Sequence, residues 1–143
     1  MKVVILAGGY GSRLSEYTKT IPKPMVKILG KPIIHRIIDH YISYGHQEFY
    51  IALGYKGSEL KKYFLKKHFS EDIKINLVET GKNTMTGGRL KRLEPYLKGT
   101  FLMTYGDGLS NIDLNKLINF HKKNKKIFTL TAVRPPARFG AIK

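Results

Sequence analysis

Short apolar runs alternate along the chain with stretches whose apolar residues recur every three or four positions. Lys2 to Ala7 is an apolar run after its first residue and reads as a buried strand. Gly8 to Pro24 follows as a long loop punctuated by glycine and proline. Pro32 sits at a helix start, with Ile33, Ile37 and Tyr41 beside Ile34, Ile38 and Ile42 as its apolar stripe, and Gly45 ends that helix. Glu48 to Leu53 is a second strand. Ser58 is placed to cap a helix in which Leu60, Tyr63 and Phe64 face inward and the lysines face out. Ile73 to Val78 alternates apolar and polar, a strand with one wetter face. Thr86 to Leu97 carries Leu90, Leu93 and Leu97 at helical spacing, and Phe101 to Tyr105 is a fourth strand. Asp113 caps a helix with Leu114, Leu117, Ile118 and His121 on one side. Ile127 to Val133 is expected to be a fifth strand.

This alternation of strand and helix predicts an α/β fold: a Rossmann-like, mostly parallel sheet, joined by right-handed crossovers, with helices on both faces. After Pro135-Pro136, Arg138 to Lys143 reads as the beginning of another strand, so the fold is expected to be truncated at its C-terminal end. The length of 143 residues suits one domain, taken as 1–143. A hydrophobic share of 42% and a charged share of 25% are those of a globular protein. No apolar run approaches a membrane span, and Met1-Lys2 leads into too short a run for a signal peptide. The absence of cysteine excludes disulfides, thiolate zinc sites and a cysteine nucleophile, and a cytoplasmic location is expected.

The net charge of +16 is the unusual quantity. It suits a nucleic-acid or anionic-membrane partner. It equally suits solvated helix faces, since the densest groups, Lys61-Lys62 with Lys66-Lys67 and Lys122-Lys123 with Lys125-Lys126, fall on polar faces or ends of predicted helices. A phosphate-rich small-molecule site needs positive potential too.

Ligands of open parallel sheets sit beyond the carboxyl ends of strands. The first such loop contains Gly8, Gly9 and Gly11, which let backbone amides turn toward one point as an anion nest, and Arg13 adds a planar donor fork. A dinucleotide fingerprint would want glycine where Leu14 stands, and a Walker loop would want Gly-Lys-Ser/Thr; neither is present. Glycine turns are common, so the loop alone leaves its role open. Pro22 and Pro24 fix the backbone around Lys23, either as a stiff connector or to hold that ammonium in place. Asp107, between Gly106 and Gly108 after the fourth strand, is either a turn residue or a carboxylate that reaches a hard cation. Thr80-Gly81 and Met85-Thr86-Gly87-Gly88-Arg89 either punctuate a helix start, with Thr84 or Thr86 as cap, or let a flat base approach the backbone. The five histidines show no metal-ligand spacing and read as structural.

Taken jointly, Leu6-Ala7-Gly8-Gly9-Tyr10-Gly11-Ser12-Arg13-Leu14, Pro22-Lys23-Pro24-Met25-Val26 and Gly30-Lys31-Pro32-Ile33 resemble the signature of the sugar-1-phosphate nucleotidyltransferases. Gly54-Tyr55-Lys56-Gly57, Thr80-Gly81 with Met85 to Arg92, Thr104 to Gly108, and Pro135-Pro136 with Arg138 to Ala141 are most similar to the glucose-1-phosphate cytidylyltransferases among them. The resemblance implies a fold of the nucleotide-diphospho-sugar transferase type, of which this chain is the N-terminal, nucleotide-binding part. It implies transfer of a cytidylyl group from CTP to a sugar 1-phosphate, glucose 1-phosphate above all, with Mg²⁺ as cofactor. Leu6, Ala7, Gly8, Gly9, Gly11, Ser12 and Arg13 would hold the triphosphate, Lys23 would meet the α-phosphate, and Thr80, Gly81 and Gly87 would line the base pocket. Asp107 would hold the metal and Gly140 would approach the sugar; Arg13, Lys23 and Asp107 would be the catalytic set. The second metal carboxylate of the family, a further lysine and most of the sugar pocket would lie beyond Lys143. The segment between Phe69 and Ile73 is shorter than in the cytidylyltransferases, which carry an insertion there. A homo-oligomer without nucleic-acid or membrane partners is implied. The alternatives are a relative using another nucleoside triphosphate or sugar phosphate, and a non-catalytic basic nucleic-acid-binding or regulatory domain.

Overall fold

The computed structural model describes residues 1–11 and 20–134. The chain divides into two compact units, Met1–Asn111 and Ile112–Lys143. The first contains, in chain order, β1 (Val3–Leu6), β2 (Lys27–Ile28), β3 (Lys31–Pro32), α1 (Ile33–Ser43), β4 (Glu48–Leu53), α2 (Gly57–Lys66), β5 (Lys74–Glu79), α3 (Thr86–Leu93) and β6 (Leu102–Tyr105). The second contains α4 (Leu114–Asn124), whose N-terminus is capped by the Asp113 carboxylate accepting from the Lys116 amide at 3.0 Å.

Strands β5, β4, β1 and β6 lie in that order and are all parallel. Ile5 stands level with Ile51 on one side and Thr104 on the other. β1 is central, and Val3, Val4, Ile5 and Leu6 are all buried, which accounts for its unbroken apolar run. Alternate side chains serve opposite faces. Val4, Leu6, Tyr50 and Ala52 pack with Leu90 and Leu93 of α3. On the other face the Tyr41 hydroxyl of α1 is hydrogen-bonded to Thr104, the neighbour of Ile5. The helices therefore cover both faces, as right-handed crossovers require when the chain runs β1, β4, β5 and then returns past β1 to β6. That return makes β1 and β6 the place where the strand order reverses. A crevice opens outside their carboxyl ends.

Several local expectations need correction. Residues 127–133 form no strand: Ile127, Phe128, Leu130 and Val133 are exposed, and no ladder among the described residues takes them up. Apolar composition favours a strand only where a partner supplies hydrogen bonds. Ser58 does not cap α2. The helix begins two residues earlier, at Gly57, because Lys56 takes a left-handed conformation (φ 51°) and the Gly57 amide donates to Gly54 O at 3.0 Å. The helix expected to reach Leu97 stops at Leu93, and Glu94–Tyr96 tightens into a 3₁₀ turn, since Pro95 lacks the amide that an α-helix needs. Neither Thr84 nor Thr86 caps α3, whose N-cap position is Met85. The β2–β3 hairpin was not expected. Its loop residues Leu29 and Gly30 both have positive φ, 48° and 77°, as a two-residue hairpin turn demands. Arg36 of α1 braces it, donating from Nε and Nη2 to Ile28 O at 2.9 and 2.7 Å. The expected strand at 138–143 lies outside the described residues.

Candidate active site at the ends of β1 and β6

A cleft of about 430 Å³ lies at the strand-order reversal. Its walls are the β1 loop from Leu6 to Gly11, the Lys23-Pro24 turn, the β5–α3 loop from Lys82 to Thr86 with Arg89 behind it, and Tyr105 with Asp107 after β6. The β1 loop leaves the sheet in register, with the Ala7 amide donating to Ala52 O at 3.0 Å. Gly11 then turns with φ 66°.

Lys23 and Asp107 form an ion pair in this cleft, each side chain about one-third exposed or less. Local sequence explains the meeting. Pro22 is extended and Lys23–Met25 makes one 3₁₀ turn, closed by the Met25 amide on Pro22 O at 2.8 Å. Pro24 is buried against Gly106, where a Cβ would stand 3.0 Å from the Pro24 ring and 3.2 Å from Leu6 O. Glycine at 106 thus lets the proline-bracketed turn close on the end of β6, and the Gly106 amide donates to Leu6 O at 2.9 Å. The ammonium and the carboxylate are brought together by backbone packing, not by flexible reach.

Arg89 is the organising residue beneath the cleft. It is only 4% exposed. Its Nη1 donates to Leu53 O at 3.0 Å, Thr80 Oγ1 at 2.8 Å and Gly81 O at 2.7 Å. Its Nη2 donates to Gly8 O at 2.8 Å and Lys82 O at 3.4 Å. One guanidinium therefore ties together the loops that follow β1, β4 and β5. A Cβ at Gly8 or Gly54 would run into it, so those two glycines make its slot. Burial, reinforced by Arg92, pulls the Arg89 pKa below its ordinary value. The guanidinium stays charged nonetheless. A buried cation with carbonyl partners contributes positive potential to the cleft floor.

The structure brings Leu6, Ala7, Gly8, Gly9, Gly11, Lys23 and Asp107 to one cleft. It places Thr80, Gly81 and Gly87 elsewhere. Thr80 is fully buried, its hydroxyl donating to Leu53 O at 2.6 Å and accepting from Arg89. Gly81 (φ 85°) offers its carbonyl to Arg89, and Gly87 is exposed in the first turn of α3. The β5–α3 loop presents Lys82, Asn83, Thr84, Met85 and Thr86 to the cleft instead. Ser12, Arg13 and Gly140 lie outside the described residues. Arg89 and Tyr10 were not singled out from sequence. The signal available for Arg89 was its place behind two glycines in Gly87-Gly88-Arg89; for Tyr10 there was none beyond its neighbours. Among the described residues no group of three histidine or carboxylate side chains could hold a metal. His35 serves packing, its Nδ1 2.6 Å from the Tyr63 hydroxyl and its ring stacked on Phe69.

Comparison with known proteins agrees with this geometry. The sequence profile described as "Nucleotidyl transferase" matches residues 2–143. The chain belongs to the nucleotidyl transferase family. Among curated members, the glucose-1-phosphate cytidylyltransferase of Salmonella typhimurium is 46% identical over 164 aligned positions, covering 99% of this chain. The probable glucose-1-phosphate cytidylyltransferase of Bacillus subtilis is 43% identical, again over 99% of the chain. The chain spans 64% of the length of both. The solved structure of HddC from Yersinia pseudotuberculosis complexed with GMP-PN superimposes with a TM-score of 0.73 at 32% identity, covering 84% of this chain and 53% of that one. UDP-glucose pyrophosphorylase complexed with UDP-glucose shares the fold, with a TM-score of 0.72 at 22% identity. The chain thus carries the mostly parallel sheet of its structural neighbours. No helix among its described residues is long and apolar enough to cross a membrane.

Proposed function

We propose that this chain is the nucleotide-binding part of an enzyme that transfers a cytidylyl group from CTP to a sugar 1-phosphate, with glucose 1-phosphate as acceptor. The observation that carries the proposal is the meeting of Lys23, Asp107 and the glycine loop at the β1–β6 crevice. The choice of CTP rests on the identity of 46% to a cytidylyltransferase over nearly the whole chain. GTP is the second reading, favoured by the likeness to HddC.

The reaction is a single in-line displacement. A phosphate oxygen of the sugar 1-phosphate attacks the α-phosphorus of CTP, and the bond from that phosphorus to the pyrophosphate oxygen breaks. The nucleophile is already an anion, so no strong base is needed, and catalysis rests on positioning and charge. Amides of Gly8, Gly9 and Gly11, with Ser12 and Arg13, hold the triphosphate, and Arg13 steadies the departing pyrophosphate. Lys23 leaves Asp107 for the α-phosphate as the nucleotide enters. Asp107 is the one carboxylate among the residues lining the cleft. That donor set fits Mg²⁺, which takes one or two carboxylates and completes its shell with substrate phosphates and water. Once bound by Asp107 it supplies charge neutralisation of the triphosphate. Lys82 to Thr86 form the base side of the pocket, and Gly140 is the residue that the resemblance assigns to the sugar. The partners are CTP and the sugar phosphate, in a cytoplasmic homo-oligomer, with neither nucleic acid nor membrane.

Titration calorimetry with Mg-CTP, Mg-GTP, Mg-UTP and Mg-ATP, beside a pyrophosphate-release assay with glucose 1-phosphate, tests the proposal. CTP is expected to bind most tightly, by about tenfold or more over ATP, because a purine leaves polar groups of a pyrimidine pocket unpaired. Preference for GTP would select the second reading, and absence of binding to every nucleotide would refute both.

A further inference from the structure

Two residues tie the strand-end loops around the cleft, and they work at different depths. Arg89 does so in the floor, through carbonyls. Tyr10 does so at the rim. It stands between Gly9 and Gly11 of the β1 loop, and its hydroxyl donates to Asn83 Oδ1 of the β5–α3 loop. Its ring lies against Tyr55 of the β4–α2 loop, with centroids 4.9 Å apart at 36°. Tyr10 and Asn83 both line the cleft.

We infer that Tyr10 is a positioning residue for the nucleotide, its bond to Asn83 holding the glycine loop against the base-side loop before the ligand arrives. The inference rests on the nucleotide-binding reading given above. Glycine carries the largest backbone entropy to lose on ordering, and three glycines, Gly8, Gly9 and Gly11, stand in this loop. A loop ordered only by the ligand charges that cost to binding. Arg89 restrains the loop at Gly8 but reaches no further along it. The next side chain outward is Tyr10, and its hydroxyl carries a tie onward to the β5–α3 loop. Tyr10 is 47% exposed, so its hydroxyl also has water as an alternative partner, and the tie is worth a single solvent-accessible hydrogen bond.

Two variants and their double mutant test this. Tyr10→Phe keeps the ring on Tyr55 and loses the tie. Asn83→Ala loses the same tie from the β5–α3 loop. Each is expected to weaken Mg-CTP binding by about three- to tenfold in calorimetry, the range for one hydrogen bond. The double variant should be weakened no more than the worse single one, because both remove one interaction. Without nucleotide, the unfolding midpoint of Tyr10→Phe should fall only by the few degrees that one such bond is worth, whereas a role in general stability alone would lower the midpoint and leave Mg-CTP affinity at the parent's. Parent-like CTP binding by Tyr10→Phe, tighter binding by it, or additive losses in the double variant would overturn the positioning role while leaving the nucleotide site standing. Failure of the parent itself to bind CTP would overturn both.

Discussion

Arg89 shows how a single residue can decide the shape of the site. Five acceptors from three loops converge on one guanidinium that is nearly sealed from solvent. Replacing it by Met would take one donor each from Gly8 O, Leu53 O and Gly81 O; Leu53 O keeps Thr80 and Gly8 O keeps the Tyr55 amide, so the cost of about 1–3 kcal/mol for an unsatisfied group falls on Gly81 O. Arg89→Met is therefore expected to lower unfolding free energy by roughly 1–3 kcal/mol. Arg89→Lys should recover only part of that, since one ammonium cannot span the same fork. Urea unfolding measures both, and a loss under about 1 kcal/mol for Met would contradict the keystone role. The sequence made Lys23 and Asp107 legible because prolines and glycines bracket them. It did not make Arg89 legible, because its partners are carbonyls, which every residue has. Thr80 illustrates the same limit. Its position in the loop after β5 was evident, but not that its hydroxyl faces inward to Leu53 and Arg89.

Among the elements, those whose burial is regular were legible. β4 was read at its observed bounds, and of the expected α1 stripe Ile34, Ile37, Ile38 and Tyr41 are buried while Ile33 and Ile42 are half-buried. Elements that depend on a partner or a turn were not. The exposed segment 127–133 and the two-residue strands of the β2–β3 hairpin carry no periodicity that distinguishes them. The packing of α1 on α2 has a consequence for pH. His35 of α1 bonds Tyr63 of α2, and burial holds its pKa below the ordinary value, with Lys31 and Lys67 acting in the same direction and Asp39 against them. His46 is lowered too, by burial and by the N-terminal ammonium. The unfolded chain binds these protons near pH 6.5 while the folded chain resists them, so stability must fall as pH drops below that value. Between pH 7.5 and 5.5 each histidine should contribute a loss of roughly 1 kcal/mol or less. His35→Gln should flatten the dependence by His35's share. Denaturant midpoints across that interval check this, and a parent that gains stability on acidification would show Asp39 to dominate instead.

For the whole molecule the question is where the positive charge acts. Much of the described lysine is accounted for by surface pairs, such as Lys61 with Glu79 and Lys91 with Glu94, or by exposed positions such as Lys66, Lys67, Lys122 and Lys123. Such pairs and solvated ammonium groups keep a chain soluble without marking a binding face. The central claim is that a nucleoside triphosphate binds in the crevice at the ends of β1 and β6. Amide chemical-shift mapping of the ¹⁵N-labelled chain during titration with Mg-CTP tests it most directly. The account predicts saturable shifts confined to Gly8, Gly9, Tyr10, Gly11, Lys23, Lys82 to Thr86 and Gly106 to Gly108, reversed by added pyrophosphate. Unsaturable shifts spread over the lysine-rich faces of α2 and α4, with the crevice unmoved, would contradict it.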